Sequence, residues 1–218
     1  MIRRVGEEVN AHQRVVLLYG VVLLGILLVP IPWTMAQPVP SVQSLSADLA
    51  ADQRAHLWRV GAWGAANAAA GTALFLLADN EAQPGRRAFG MQSAAWGVIN
   101  VGIAAIGLAN GAEAPTEVWS DALAAENAYA DILLVNLGLN VGYMAVGTTL
   151  LAVSGRGVPN PNAWRGHGSA LVVQGLGLLV LDTVAYLGTR ARMDDLVSLA
   201  SSAAWTPLPD GLALVISL

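Results

Sequence analysis

The alternation of apolar and polar stretches divides the chain into five apolar segments separated by short polar ones. The first segment, residues 15–29, is shorter than the others. The four longer segments are residues 56–78, 88–109, 128–153 and 168–189. A helix needs about 20 apolar residues to cross a bilayer, so each of these four is long enough to span one.

The four long segments are rich in Gly and Ala, and none shows the continuous polar face of a helix in a soluble bundle. Small residues allow membrane helices to approach closely, where dispersion and hydrogen bonds hold them together. The sequence therefore predicts an all-α fold, an integral-membrane antiparallel bundle of four transmembrane helices within residues 37–192.

Residues 1–36 have the order of a secretory signal peptide: a basic start, the short apolar segment and small residues at Thr34 and Ala36. We therefore expect cleavage after Ala36. The alternative is an uncleaved anchor that forms a fifth hydrophobic helix, which the acidic residues Glu7 and Glu8 favour. Residues 193–218 are interpreted as a C-terminal tail, with a short amphipathic surface helix, a turn broken by Pro and an apolar end too short to span.

Polar side chains recur inside all four long segments at spacings of four or eight residues, which places them on one face of each helix. The first segment has Arg59, Trp63 and Asn67, and the others have Gln92, Trp96 and Asn100, then Asn136 and Asn140, then Gln174, Asp182 and Tyr186. At 1.5 Å per residue, one residue of each segment lies about 12–15 Å below the same side of the bundle. We therefore expect one polar layer, formed by Asn67, Asn100, Asn136 and Asp182.

Two of these segments share a motif. "WGAANAAAG", residues 63–71, and "WGVINVGIA", residues 96–104, both begin with Trp-Gly and have Asn four residues after the Trp. On antiparallel helices the two copies run in opposite directions, which resembles the small inverted repeats of transporters.

Two interpretations of the polar layer remain open. Asn and Gln in membrane helices often hold helices together by hydrogen bonds worth about 0.6–2 kcal/mol. The carboxyl group of Asp182 is different, because an acid at helix depth is costly and by default indicates function. Three states are open for it: a carboxyl held neutral by desolvation, a carboxylate that accepts hydrogen bonds from Asn67 and Asn100, or one that pairs with Arg59.

Composition agrees with a membrane protein: 12% of the residues are charged and the mean hydropathy is +0.55, whereas soluble domains carry about 25% charged residues. The formal net charge is −4 and there is no basic block, so nucleic-acid binding is not expected. There are no cysteines, which excludes disulfides and Cys-ligated metals.

No cofactor, metal or catalytic site is predicted. Of the three histidines, His12 lies in the leader, and His56 and His167 are expected on opposite sides of the membrane, too far apart to share a metal or haem. No nucleophile–base set or phosphate-binding loop is present, so the protein is expected to be non-enzymatic.

Arginine is distributed unevenly between the connections. The connections at 79–87 and 154–167 each contain two Arg, whereas 110–127 contains none and is acidic. By the positive-inside rule, the first two face the cytoplasm. This predicts a bacterial inner-membrane protein whose mature N-terminus and C-terminus lie outside.

Four pieces of the chain, "WGAANAAAG", "WGVIN", "NLGLNVGY" and "GHGSALVVQGLGLLVLD", together resemble an uncharacterised family of small four-helix bacterial membrane proteins with a domain of unknown function, found mostly in the Bacteroidetes and their relatives. The resemblance covers about residues 57–186 and implies an architecture, with no activity attached. It also implies that Asp is common at the position of Asn140, so that here only one intramembrane acid remains and a two-carboxylate mechanism is in doubt.

Two functions from different classes follow. The first is a non-enzymatic membrane protein whose intramembrane polar layer binds a small ligand or lipid, or docks a partner membrane subunit. The alternative is a small transporter or channel component that uses Asp182 as a proton or cation site. The expected surroundings are the lipid bilayer, with a membrane protein partner or a second copy of the chain as the other possible contacts.

Overall fold

The computed structural model describes residues 40–208 and 211–216. They form the helices α1 (Val42–Leu77), α2 (Pro84–Asn110), α3 (Trp119–Val153) and α4 (Pro161–Ser202), followed by the strands β1 (Ala203–Leu208) and β2 (Gly211–Ile216). All four helices are long and apolar enough to cross a membrane, which confirms the predicted set of four long apolar helices and indicates a multi-pass membrane protein. The predicted signal peptide, residues 1–36, lies outside the described residues.

The helices begin where the sequence supplies suitable first-turn residues. At the start of α1, Ser41 and Ser44 form a capping box in which each hydroxyl accepts a hydrogen bond from the other residue's backbone N–H, at 3.1 and 2.9 Å. α2 begins at Pro84 and α4 at Pro161. Proline fits the first turn of a helix because its missing N–H would have no partner there.

The α1–α2 connection is short and internally bonded. Asp79 Oδ1 accepts hydrogen bonds from the backbone N–H of Ala82 at 2.6 Å and of Glu81 at 2.9 Å. These two donors lower the pKa of the Asp79 carboxyl. Arg87 donates to the carbonyl of Phe75 at 2.9 Å and lies over its ring, which joins the end of α1 to the start of α2.

Glycines bring α1 and α2 into backbone contact. A Cβ atom added at Gly64 would lie 2.8 Å from the carbonyl oxygen of Gly97, and one added at Gly97 would lie 2.6 Å from that of Gly64. Gly71 and Gly90 have the same reciprocal relation at 2.7 Å. Only glycine permits this approach at either position. Gly64 and Gly97 are the glycines of the two Trp-Gly motifs, so the repeated motifs meet where the antiparallel helices pack.

Helix α4 lies against each of the other three helices. It meets α3 through Gly147 and Gly168, where an added Cβ would lie 2.7 or 2.6 Å from the other's carbonyl oxygen. It meets α1 where Gly177 leaves room for the indole of Trp63, whose Cε2 atom would lie 2.7 Å from an added Cβ. The bundle is therefore organised around α4.

The two ends of the bundle differ in length. At the end where α1 begins and α4 finishes, here called the termini end, Gly107 of α2 contacts Leu57 of α1, and α2 stops at Asn110. The earlier turns of α1 therefore continue beyond α2 together with parts of α3 and α4. This three-helix extension is held by a cluster of Leu45, Ala122 and Leu196. The opposite end, here called the loop end, carries the α1–α2 and α3–α4 connections.

The C-terminal residues differ from the sequence-based interpretation. Residues 193–202 continue α4 without a break, and the following segment forms an antiparallel hairpin in which Ala203 pairs with Ile216 and Leu208 with Gly211. A separate short surface helix, a turn broken by Pro and an apolar end were expected there. The sequence supports the hairpin with the β-favouring Trp205 and Thr206 of β1 and Val215 and Ile216 of β2, and with a turn-forming Pro-Asp-Gly sequence whose glycine begins β2.

Candidate functional site

An ionisable pair is buried between α1 and α4. The Nε2 atom of His56 lies 3.2 Å from Oδ1 of Asp182, and the side chain of Asn140 donates a hydrogen bond to Oδ2 of the same carboxylate at 2.6 Å. Asp182 is 4% exposed, so both of its oxygens depend on these partners. These three residues are here called the ionic set.

A second charged group lies in the three-helix extension. Arg192 donates to Glu126 Oε1 through Nε at 2.5 Å and to Thr189 Oγ1 through Nη2 at 3.1 Å. Its Nη1 pairs with Asp52, whose side chain is half exposed. Glu126 and Arg192 are both buried. Each compensates the charge of the other, which would otherwise be buried without a partner. Asp52, Glu126, Thr189 and Arg192 are here called the arginine set.

Tyr129 lies between the two charged groups. Its ring meets that of His56 edge to face, with centroids 6.5 Å apart. Tyr129 also packs in a cluster with Leu49 and Leu133. Aromatic and aliphatic side chains therefore close the space around His56.

Towards the loop end, the polar interior becomes uncharged. The indole N–H of Trp63 donates to Gln174 Oε1 at 3.1 Å, and Asn67 Nδ2 donates to the backbone carbonyl of Trp63 at 2.8 Å. Asn100 lies beside the contact between α1 and α2, because a Cβ atom added at Gly64 would be 2.8 Å from its Cβ.

Ser93, two turns before Asn100 on the buried face of α2, completes this group. Asn67, Ser93, Asn100 and Gln174 are here called the neutral set. All four are buried, and Asn67 is 0% exposed.

Each member of the neutral set keeps one polar atom without a hydrogen-bond partner among the described residues. These atoms are Asn67 Oδ1, Ser93 Oγ, Asn100 Nδ2 and Gln174 Nε2. A buried polar group without a partner costs about 1–3 kcal/mol, so such groups are rare in proteins unless something occupies the site.

The polar interior continues to the loop end through one more pair. Nδ1 of His167 lies 3.1 Å from Oε1 of Gln92, and both residues are partly buried. Polar residues are therefore present along most of the bundle, charged near the termini end and uncharged in the middle.

The profile of a family of unknown function, DUF6992, matches residues 59–183. The chain belongs to this family. No curated protein and no solved structure matches it. The matched residues include the whole neutral set together with Asn140 and Asp182, whereas His56 and Arg192 lie outside the matched range.

Within this family member, the structure brings together most of the residues that the sequence singled out. The buried ones are Trp63, Asn67, Asn100, Asn140, Gln174 and Asp182. They do not form the expected single layer. Asp182 is bonded to Asn140 and His56, whereas Asn67, eleven residues along α1 from His56, lies about 16 Å further into the bundle.

The prediction of one layer was wrong because the apolar segments of α1 and α4 do not end at the same level. His56 at the end of one segment meets Asp182, which lies seven residues before the end of the other. The expected partners of Asp182 were wrong for the same reason. Asn67 bonds to its own helix, and Arg59 has no ion pair or hydrogen bond among the described residues.

Five predicted site residues are only partly buried, namely Arg59, Gln92, Trp96, Asn136 and Tyr186. Trp96 packs against Tyr143 with ring centroids 4.6 Å apart. Asn136 and Asn140 are four residues apart on α3, but of the two only Asn140 has a described hydrogen bond to α4.

Sequence reasoning missed His56, Glu126 and Arg192 as part of the site. His56 was weighed only as a metal ligand, although it lies seven residues before Trp63 on the same helix face. Glu126 was assigned to a connection because the predicted third span began after it, and Arg192 was placed beyond the fourth span because that span was predicted to end at residue 189. In the described part of the chain, no group of three His, Cys, Asp or Glu side chains is arranged to hold a metal ion.

Proposed function

We propose that this protein is a non-enzymatic membrane protein whose neutral set binds a small, uncharged polar ligand inside the helix bundle. The observation that carries the proposal is the presence of four buried polar atoms without partners, contributed by α1, α2 and α4. Together they would cost about 4–12 kcal/mol if nothing bonded to them, at about 1–3 kcal/mol each. A bound polar molecule that satisfies them removes this cost.

The chemistry of the four atoms limits the ligand. Asn100 Nδ2 and Gln174 Nε2 are donors, Asn67 Oδ1 is an acceptor, and the Ser93 hydroxyl does both. No charged side chain belongs to this set, so a charged ligand would remain uncompensated there. The contact between Gly64 and Gly97 keeps α1 and α2 close together, which favours a small molecule.

The interpretation of these amides as interhelical glue has less support. The described hydrogen bond of Asn67 goes to the Trp63 carbonyl in its own helix, so it does not join two helices. Asn100 has a free donor at the α1–α2 contact. Among the amides of the neutral set, Gln174 is the one with a described hydrogen bond to another helix, through the indole of Trp63.

The test is to purify the full chain in lipid nanodiscs and to identify small polar molecules released on denaturation by mass spectrometry. The wild type is expected to release one at near-stoichiometric amounts, and Asn67→Leu combined with Asn100→Leu is expected to lose it. Asn127→Leu is the matched control, because Asn127 makes the same hydrogen bond to the carbonyl four residues earlier but is exposed.

Release of the same molecule by the double variant would refute the proposal. So would a high-resolution map in which only water molecules bond to the four atoms.

The second candidate function is a small transporter or channel component in which Asp182 binds a proton or cation. The contact between His56 and Asp182 favours it, because an imidazole and a carboxylate, both able to carry a proton, lie together at one buried position between two spans. The measurement is pH-driven flux in proteoliposomes. Flux that is present in the wild type and in Asp131→Asn, an exposed carboxylate on α3, but absent in Asp182→Asn would support transport. Equal flux in empty liposomes and wild-type proteoliposomes would refute it.

The proposed location is the bacterial inner membrane, with the loop end in the cytoplasm and both termini of the mature chain outside. The support is the arginine content of the two connections at the loop end, which matches the positive-inside rule. Reporter fusions at Gly85 and Ala114 are expected to read opposite sides of the membrane. The same side for both would overturn this orientation.

A further inference from the structure

A groove on the surface of the termini end is separate from the polar interior. It has a volume of about 520 Å³ and lies between α1 and the end of α2, including the connection that follows α2. Arg54 and Glu113 are its only charged lining residues, and both are exposed. Neither makes an ion pair with another described residue.

The floor of the groove is apolar. Leu57 and Leu108 line it, and Gly107 makes room for Leu57, since a Cβ atom added there would lie 2.8 Å from a Leu57 methyl group. Ile106, next to the groove on α2, is 65% exposed. The groove therefore continues into the surface that faces lipid, while its charged residues lie nearer the end of the helices.

Tryptophan positions place this groove near a membrane boundary. Trp58 is 62% exposed on α1, and Trp164 is exposed near the loop end. Because Trp63 packs on Gly177, Trp58 is level with about residue 182 of α4, and the two exposed tryptophans are separated by about 27 Å along the bundle. That separation is close to the roughly 30 Å hydrocarbon thickness of a bilayer, whose boundaries favour Trp.

We propose that this groove binds the headgroup of a phospholipid that carries a phosphate and a primary ammonium group. Arg54 binds the phosphate, since a guanidinium matches phosphate oxygens with paired donors. Glu113 accepts hydrogen bonds from the ammonium, and Leu57 and Leu108 contact the first carbons of the acyl chains. One positive and one negative side chain complement the zwitterion, and the volume lies in the range of small-molecule sites.

The proposal is tested by native mass spectrometry of the full chain released from nanodiscs that contain equal amounts of phosphatidylethanolamine and phosphatidylglycerol. The wild type is expected to retain about threefold more phosphatidylethanolamine, in line with the modest strength of exposed ion pairs. Arg54→Gln should reduce the retention of both lipids. Glu113→Gln should remove the preference, because the ammonium loses its acceptor.

Two variants serve as controls. Glu117→Gln changes an acid in the same connection that does not line the groove, and Arg190→Gln changes an exposed arginine at the same end of the bundle. Both should behave as the wild type. Preferential retention of phosphatidylglycerol by the wild type, or equal effects of the Arg54 and Arg190 variants, would overturn the proposal.

Discussion

The polar interior has a charged part near the termini end and an uncharged part in the middle, and the two parts satisfy their hydrogen-bonding groups differently. In the ionic and arginine sets, both buried carboxylates and the guanidinium have partners, and Nδ1 of His56 is the one buried side-chain atom of these sets without a partner among the described residues. In the neutral set, each of the four residues keeps an atom without one. The carboxylates of Asp182 and Glu126, the guanidinium of Arg192 and the whole neutral set are all buried, so the difference does not come from a difference in burial.

The difference follows from the cost of each kind of group. A buried charge without a partner costs several kcal/mol, whereas a neutral amide or hydroxyl costs about 1–3 kcal/mol. A fold can tolerate unbonded neutral groups where a ligand binds, but not unbonded charges. We therefore interpret the charged part as the contacts that fix α1, α3 and α4 relative to one another, and the neutral part as the binding site.

The largest effect is expected from breaking the charged part. Arg192→Met leaves the buried carboxylate of Glu126 without its main partner, and the free energy of unfolding should fall by about 3–5 kcal/mol. Thermal or denaturant unfolding in detergent, followed by tryptophan fluorescence, measures this. Arg190→Met is the control, because Arg190 is exposed and should cost little.

A companion variant separates charge from packing. Adding Glu126→Gln to Arg192→Met removes the uncompensated charge and should recover part of the lost stability. Equal stability of the single and double variants would contradict the assignment of this pair as a structural ion pair.

A smaller effect is expected from Gly97→Ala, which alters the spacing of α1 and α2 beside the neutral set. The added methyl group would meet the carbonyl of Gly64, and overpacking of this kind costs about 1–3 kcal/mol. Unfolding in detergent is again the measurement, with Gly142→Ala as the control. No atom lies within 4 Å of a Cβ at Gly142, so that variant should be unchanged or slightly more stable. Equal behaviour of the two variants would show that the α1–α2 contact is looser than described.

The smallest effect is expected from Asn100→Leu in the absence of ligand. The substitution removes an unpartnered donor and replaces it with an apolar side chain of similar size, so stability should change by less than about 1 kcal/mol in either direction. The same unfolding assay measures it. A loss as large as that of Arg192→Met would mean that Asn100 supports the fold, and the contrast between the two parts would disappear.

The four helices could be predicted from the sequence because long apolar segments leave few alternatives in a bilayer. Their true lengths could not. α3 and α4 continue past the apolar segments as far as Trp119 and Ser202, since packing in the three-helix extension stabilises turns that carry Asp and Arg. Hydropathy identifies the residues that contact lipid, but it does not detect polar turns that are stabilised by packing between helices outside the bilayer.

The identity of the buried amides was largely predictable, and their pairing was not. A spacing of four residues predicts that Asn136 and Asn140 share one helix face. The two positions nevertheless differ by about 40° around the helix axis. Of the two, only Asn140 bonds to Asp182. The partner of Asp182 on α1 depends on how far α1 is shifted along α4. The contact between Trp63 and Gly177 sets that shift, and no local pattern reveals it.

The central position of α4 has a consequence for biosynthesis. The side-chain contacts that cross between helices in the interior converge on α4, at Gln174 for Trp63, Asp182 for His56 and Asn140, and Arg192 for Glu126. The pairing of α1 with α2 relies on glycines and needs none of these groups. The α1–α2 pair can therefore assemble while the ribosome is still translating. Glu126 and Asn140 of α3, in contrast, stay without their partners in the membrane until α4 has been synthesised.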